Sequence, residues 1–111
     1  MPSESIAAEA EEIRSIVYSA LTFFENLVVC AEEEGEEAVL MLAQVTLNFS
    51  TLSDEMDDEV RMNYGKLCVG IVVNRLVKVH RDEGNLQPLN LKEILNFLLN
   101  TPIVDLLRMK A

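Results

Sequence analysis

An all-α fold, a compact bundle of about five helices, is what this sequence predicts, and three features carry the expectation. Residues 53–81 have acidic groups at one end and basic groups at the other, as the dipole of one long helix requires. Apolar side chains recur through residues 6–31 at the spacing of a helix face. Only two stretches carry any strand character, and an isolated two-stranded ribbon is marginal in water.

The first helix is expected to open at Ser3 or Ser5, either of which can cap it, with Glu4, Glu9, Glu11 and Glu12 near its positive end. Ile6, Ala10, Ile13, Val17, Ala20, Phe24, Leu27 and Ala31 then follow at alternating steps of four and three. That is a heptad seam. It suits a helix–helix dimer, but Ile16, Leu21, Phe23 and Val28 widen it into a broad face, which favours the core side of a bundle helix. The helix is expected to end at Glu32, Glu33, Glu34 and Gly35, with Glu36 and Glu37 starting the next. Gly35 is thus the corner of an αα-hairpin, and five glutamates make its tip acidic.

Residues 38–43 are apolar throughout and read as buried helix. Beyond them, Val45, Leu47 and Phe49 alternate with Thr46, Asn48 and Ser50, a strand signature. Residues 44–52 therefore stay open between helix and strand, with helix to about residue 50 preferred. Ser53 is the expected cap of the long central helix, which begins with Asp54, Glu55, Asp57, Asp58 and Glu59. Lys78, His80 and Arg81 sit at its negative end, and Gly84 stops it. Its middle, Leu67 to Val73, is apolar at every position, so neighbouring helices should enclose it on almost every side. The same run is short and β-branched enough to suit a buried strand; the matched helix ends favour helix. Gly65 and Gly70 would let other backbones approach it closely.

After a loop at 85–89, Asn90 is expected to cap a short helix over 91–99. Thr101 and Pro102 signal a second one, closed by Arg108 and Lys110. Both are too short to be stable alone and must pack on the longer helices.

A chain of 111 residues is expected to form a single helical domain. Half its residues are apolar, and a chain this small buries only about two-thirds of its unfolded surface. Surplus apolar surface points to self-association, and a homodimer is expected. Residues 1–59 hold 15 acidic residues and one basic, a net −14; residues 60–111 hold four and eight, a net +4. The two halves attract each other, within one chain or between antiparallel copies. The overall charge of −10 opposes direct binding to nucleic acid or an anionic membrane. The opening MPSESIAAEAEE lacks the basic region of a secretory leader, and no unbroken apolar run approaches the ~20 residues of a membrane span. A cytoplasmic protein is therefore expected, with Cys30 and Cys68 reduced and buried.

Catalytic sets are not apparent. A Ser–His–Asp or Cys–His arrangement would have to use His80, which sits where it complements a helix end. His80–Arg81–Asp82 spells a kinase tripeptide without that fold's other motifs. Gly65 and Gly70 have P-loop spacing, but Ile71 and Val72 stand where Lys and Ser/Thr are needed. In the acidic window 54–65, Met56 replaces a calcium ligand and Glu59 the turn glycine. Neither a catalytic residue, a metal ligand nor a cofactor site is expected. Lys66, Arg75, Lys78 and Arg81 form a short basic stripe, read as complementing the helix end and the acidic half.

The expected function is a non-enzymatic regulatory or protein-interaction subunit, acting through apolar helix faces and an acidic surface. Glu32, Glu33, Glu34, Glu36, Glu37, Asp54, Glu55, Asp57, Asp58 and Glu59 are the candidate partner-binding residues, and the partner is a protein, basic where it meets them. The alternative is an acidic mimic of nucleic acid, of the kind encoded by phages, that inhibits a DNA- or RNA-binding protein.

Overall fold

The computed structural model describes residues 2–84 and 90–109, with the side chains of residues 2 and 3 left aside. Five helices follow one another: α1 (Pro2–Glu34), α2 (Glu36–Ser50), α3 (Asp58–Asp82), α4 (Leu91–Asn100) and α5 (Ile103–Leu107). The fold is all-α, as expected, and both stretches with strand character are helical. The expected loop at 85–89 and the closing Lys110 lie outside the described residues.

Residues 44–50 belong to α2, and its burial pattern explains the ambiguity. Ala38, Leu42, Val45, Thr46, Phe49 and Ser50 are buried, a helical stripe, while Leu47 of the apparent alternation is exposed. Two hydroxyl residues complete that stripe. The Thr46 hydroxyl donates to the Leu42 carbonyl at 2.7 Å and the Ser50 hydroxyl to the Leu47 carbonyl at 2.6 Å, so neither arrives in the core with an unmet polar group.

The helix ends correct three expectations. α1 runs from Pro2, which places Ser5 inside its first turns rather than at its cap. Ser53 does not cap α3. Its amide donates to the Ser50 carbonyl, which ties it into the exit turn of α2, and Asp57 caps α3 by accepting from the Glu59 amide at 2.9 Å. Asp54 and Glu55 therefore precede the helix. Thr101 does not cap α5 either; its backbone is extended, and the Pro102 carbonyl receives the amides of Asp105 and Leu106. Asn90 caps α4 as expected, accepting from the amides of Lys92 and Glu93. Gly35, at φ +119°, makes the corner between α1 and α2 in a conformation that side chains disfavour.

α3 is the shared wall of the bundle. The Gly65 position lies against α2: a Cβ there would stand 2.6 Å from the Thr46 carbonyl oxygen. Five residues on, Gly70 meets the backbone of α1, and a Cβ would collide with the Ala20 carbonyl. Between and beyond these crossings, Val69, Val72 and Val73 are buried with Phe24, Leu27 and Ala31 of α1 and Leu42, Val45 and Phe49 of α2. The enclosure of the 67–73 run is incomplete: Leu67, Cys68 and Ile71 keep part of their surface in solvent. α4 closes the core over α2 with Leu91, Ile94, Leu95 and Leu98, and α5 adds Leu106.

α1 and α3 run antiparallel. Val28 shares a groove with Asn63 and Lys66, whereas Ile16 shares one with Asn74, Arg75 and Lys78. The 33 residues of α1 span about 50 Å, matching the 49 Å long axis of the molecule. The radius of gyration, 15.3 Å, exceeds the ~13 Å of a rounded chain of this length, in keeping with extents of 49 × 39 × 26 Å.

The glycine crossing gives a direct test. Alanine favours a helix over glycine by roughly 1 kcal/mol, yet Gly70→Ala should destabilise the fold by about 1–3 kcal/mol, because the methyl meets backbone that cannot turn aside. Asn63→Ala, at an exposed site on the same helix, should change stability by no more than about 0.5 kcal/mol. Urea unfolding followed by circular dichroism measures both.

Candidate functional site

The ten carboxylates predicted to bind a partner are all exposed. Helix α2 separates them into two groups. Glu32, Glu33, Glu34, Glu36 and Glu37 surround the Gly35 corner at its start, and Asp54, Glu55, Asp57, Asp58 and Glu59 follow its end. Fifteen helical residues hold the groups roughly 22 Å apart along the axis. Two of the ten have cations nearby: Lys92 of α4 lies 3.5 Å from Glu37, and Arg61 pairs with Asp58 one turn along α3. Both pairs are exposed and contribute little to stability.

A second feature was only half legible. The α1 seam divides at Ala20. From Ala20 onward its members Phe24, Leu27 and Ala31 are core residues. Before it, Ile6 is 66 % exposed, Ile13 60 % and the adjoining Ile16 52 %, with Val17 and Ala10 partly covered. Sequence spacing shows a continuous stripe and gives no sign of where its cover stops. That point is set by where α3 crosses, at Gly70.

Beside the bare segment, α1 and α3 form a groove of about 410 Å³. Ile16 and Ile71 supply its apolar surface, Ser15, Ser19 and Asn74 its hydroxyls and amide, and Arg75 and Lys78 its charge. Two more grooves are more apolar. One, between α3 and α4, takes in Leu76, Val79, His80, Ile94 and Phe97; the other crosses α1, α2 and α3 and includes Phe24, Val28, Leu42, Met62 and Lys66. His80 thus lies partly buried against α4 rather than in open solvent.

The apolar character of α1 also bears on membranes. The segment Glu4–Glu34 is long and apolar enough to cross one by length and composition, and only 17 % of the qualifying window is buried in the bundle. The expectation drawn from unbroken apolar runs missed this, because polar residues interrupt the runs without making the window polar. Against a span stand Glu25 within the helix, acidic residues at both of its ends, and the work the helix does in the core. Among the described residues, no group of three His, Cys, Asp or Glu is placed to hold a metal ion.

Both cysteines are free, but neither is fully buried as expected. Cys30 is exposed on α1, on the side away from the core, because that helix is apolar over more of its circumference than the bundle covers. Cys68 is half-buried; burial raises its thiol above the usual range, and a hydrogen bond from the Tyr64 hydroxyl one turn earlier only partly offsets this. The Tyr64 hydroxyl is held above its own ordinary value chiefly by the adjoining Cys68 charge, then by that hydrogen bond. Since the folded state holds both protons more tightly than the unfolded state, this contribution to stability is present below their unfolded values and is lost as pH rises through the folded ones. In thiol labelling near pH 8, Cys30 should react at least about tenfold faster than Cys68, because Cys30 is exposed and burial both shields Cys68 and holds its proton. Cys30→Ser should remove the fast phase alone, and urea should make the two rates converge.

No protein-family model, curated protein or solved structure matches this chain.

Proposed function

We propose that this chain is a non-enzymatic, cytoplasmic protein-interaction subunit with a regulatory role. It binds through the apolar face of the α1 N-terminal half and sets its choice of partner through its acidic surface. The observation that carries the reading is the bare seam. Ile6 and Ile13 repeat the spacing that buries Phe24, Leu27 and Ala31 further along the same helix, yet they face solvent. A helix stripe of this kind is suited to a groove or a second helix on another protein. The exposed carboxylates favour a partner with basic residues beside that apolar contact and exclude acidic ones.

A second reading rests on the two exposed carboxylate groups at opposite ends of α2. Arrayed at that separation, they can stand in for phosphates and occupy the nucleic-acid site of a basic protein. The two readings differ in what sustains the complex. A mimic depends on charge and loses its partner as salt rises; an apolar seam holds its partner through the same change.

The double variant Ile6→Asp/Ile13→Asp tests the main reading. Both sites are exposed, so helicity and unfolding free energy should stay within about 0.5 kcal/mol of the parent. Binding of proteins retained by the parent chain at about 0.5 M salt, where the Debye length is well under 10 Å, should be lost. Retention of the same proteins by the variant, or their release from the parent by that salt, rejects the seam as the binding face.

A further inference from the structure

We infer that the occupant of the bare α1 face is a second copy of this chain, docked antiparallel, so that the acidic N-terminal half of each α1 lies in the α1–α3 groove of the other. The inference rests on the interaction reading above and names its partner.

Two observations select the occupant. The first is continuity. The bare seam is the extension of a stripe that is already core, and beyond the Gly70 crossing α3 flanks α1 on the groove side while Ile6 and Ile13 stay exposed. A neighbour seated there would continue the same apolar packing without a change of register along α1.

The second is charge. Glu9 and Glu12 share the stripe of α1 that contains Ile16 and Ser19, because they precede these residues at helical steps of three, four and seven. Among the described residues, the groove that Ile16 and Ser19 line carries Arg75 and Lys78 and no acidic residue. A two-fold axis near Ile13 places each α1 alongside its twin in the opposite direction. Residues 9–12 of one copy then fall beside residues 14–17 of the other, where Ser15 and Ile16 share the groove with Arg75 and Lys78. A parallel pair would instead set the acidic segments side by side. Two copies thereby match acid to base at both ends, since a two-fold contact is self-complementary.

Charge exchange tests this without disturbing the core, because Glu9, Glu12, Arg75 and Lys78 are all exposed. Sedimentation at tens of micromolar should give twice the 12.5 kDa chain mass. At low salt, Arg75→Glu/Lys78→Glu and, separately, Glu9→Lys/Glu12→Lys should each raise the dimer Kd by about tenfold or more, as several exposed pairs turn repulsive together. An equimolar mixture of the two variants should restore the parent's affinity. In the mixed dimer each arm again meets a groove of opposite sign.

A parent chain that stays monomeric, or a mixture no tighter than its components, overturns the inference. If the dimer is lost with Ile13→Asp but unmoved by every charge change, the second copy sits on α1 in another arrangement: the antiparallel inference falls and the interaction reading stands. If the parent is monomeric but retains other proteins through Ile13, the partner is a different protein. If it floats with phosphatidylcholine vesicles and retains no protein, both fall.

Discussion

Gly70 lets the backbone of α3 rest on the backbone of α1 at Ala20, and Gly65 does the same for α2 at Thr46. The rest of the molecule depends on these two approaches. They bring α3 close enough to both members of the hairpin for the short side chains Val69, Val72, Val73, Ala31 and Ala38 to fill the space between them. Larger residues at the crossings would push the axes apart and leave that core loose, since interiors tolerate neither voids nor overlaps of a methyl group. Two interior glycines weaken an isolated helix by roughly 1 kcal/mol each. Here the dispersion attraction between closely packed helices offsets that cost.

The same crossing decides which part of α1 is structural. A 33-residue helix is longer than the bundle it joins. Antiparallel to α3 and pinned to it at Ala20, it has its C-terminal half in the core and its N-terminal half flanked by α3 on one side only as far as the groove at Ser15, Ile16 and Ser19. One residue pattern therefore serves two environments. Phe24 and Leu27 are held by intramolecular packing, whereas Ile6 and Ile13, at equivalent places in the repeat, stay mostly exposed. Their exposure leaves a contiguous apolar strip on an otherwise acidic segment. A strip of this kind on a folded chain marks an interaction surface more often than isolated apolar residues do.

Much of this was legible in the sequence because several signals coincided. The long central helix is marked by its charge polarity and by Gly84, the hairpin corner by Gly35, and α4 by the Asn90 cap. Errors arose where one signal was offered several times or by the wrong residue type. Ser53, Asp54, Asp57 and Asp58 all suit an N-cap; the Ser53 hydroxyl does accept from the Glu55 amide, but ahead of α3, and Asp57 is the residue that caps the helix. Thr46 and Ser50 are polar by type but lie in the core, since each satisfies its hydroxyl on its own helix. That local satisfaction cannot be read from periodicity, which is why residues 44–50 imitate a strand. The candidate site divides in the same way. The carboxylate groups are visible in any charge count. The bare half of the seam and the cationic α1–α3 groove arise from the crossing geometry, which depends on tertiary packing.

The charge layout connects these parts. Stability alone would be served by acidic and basic residues interspersed over the surface. This chain instead gathers negative charge into its first 59 residues and keeps its positive charge mainly beyond them. Pairs that join the two regions within one molecule, such as Glu37 with Lys92, are long and exposed, so they do little to hold the fold. The segregation is better matched to association. Antiparallel docking of two copies would convert it into attraction at both ends of a contact, while parallel stacking would set like charges side by side. In such a contact apolar side chains along α1 would supply the affinity, and the separated charges would determine which way round it is used.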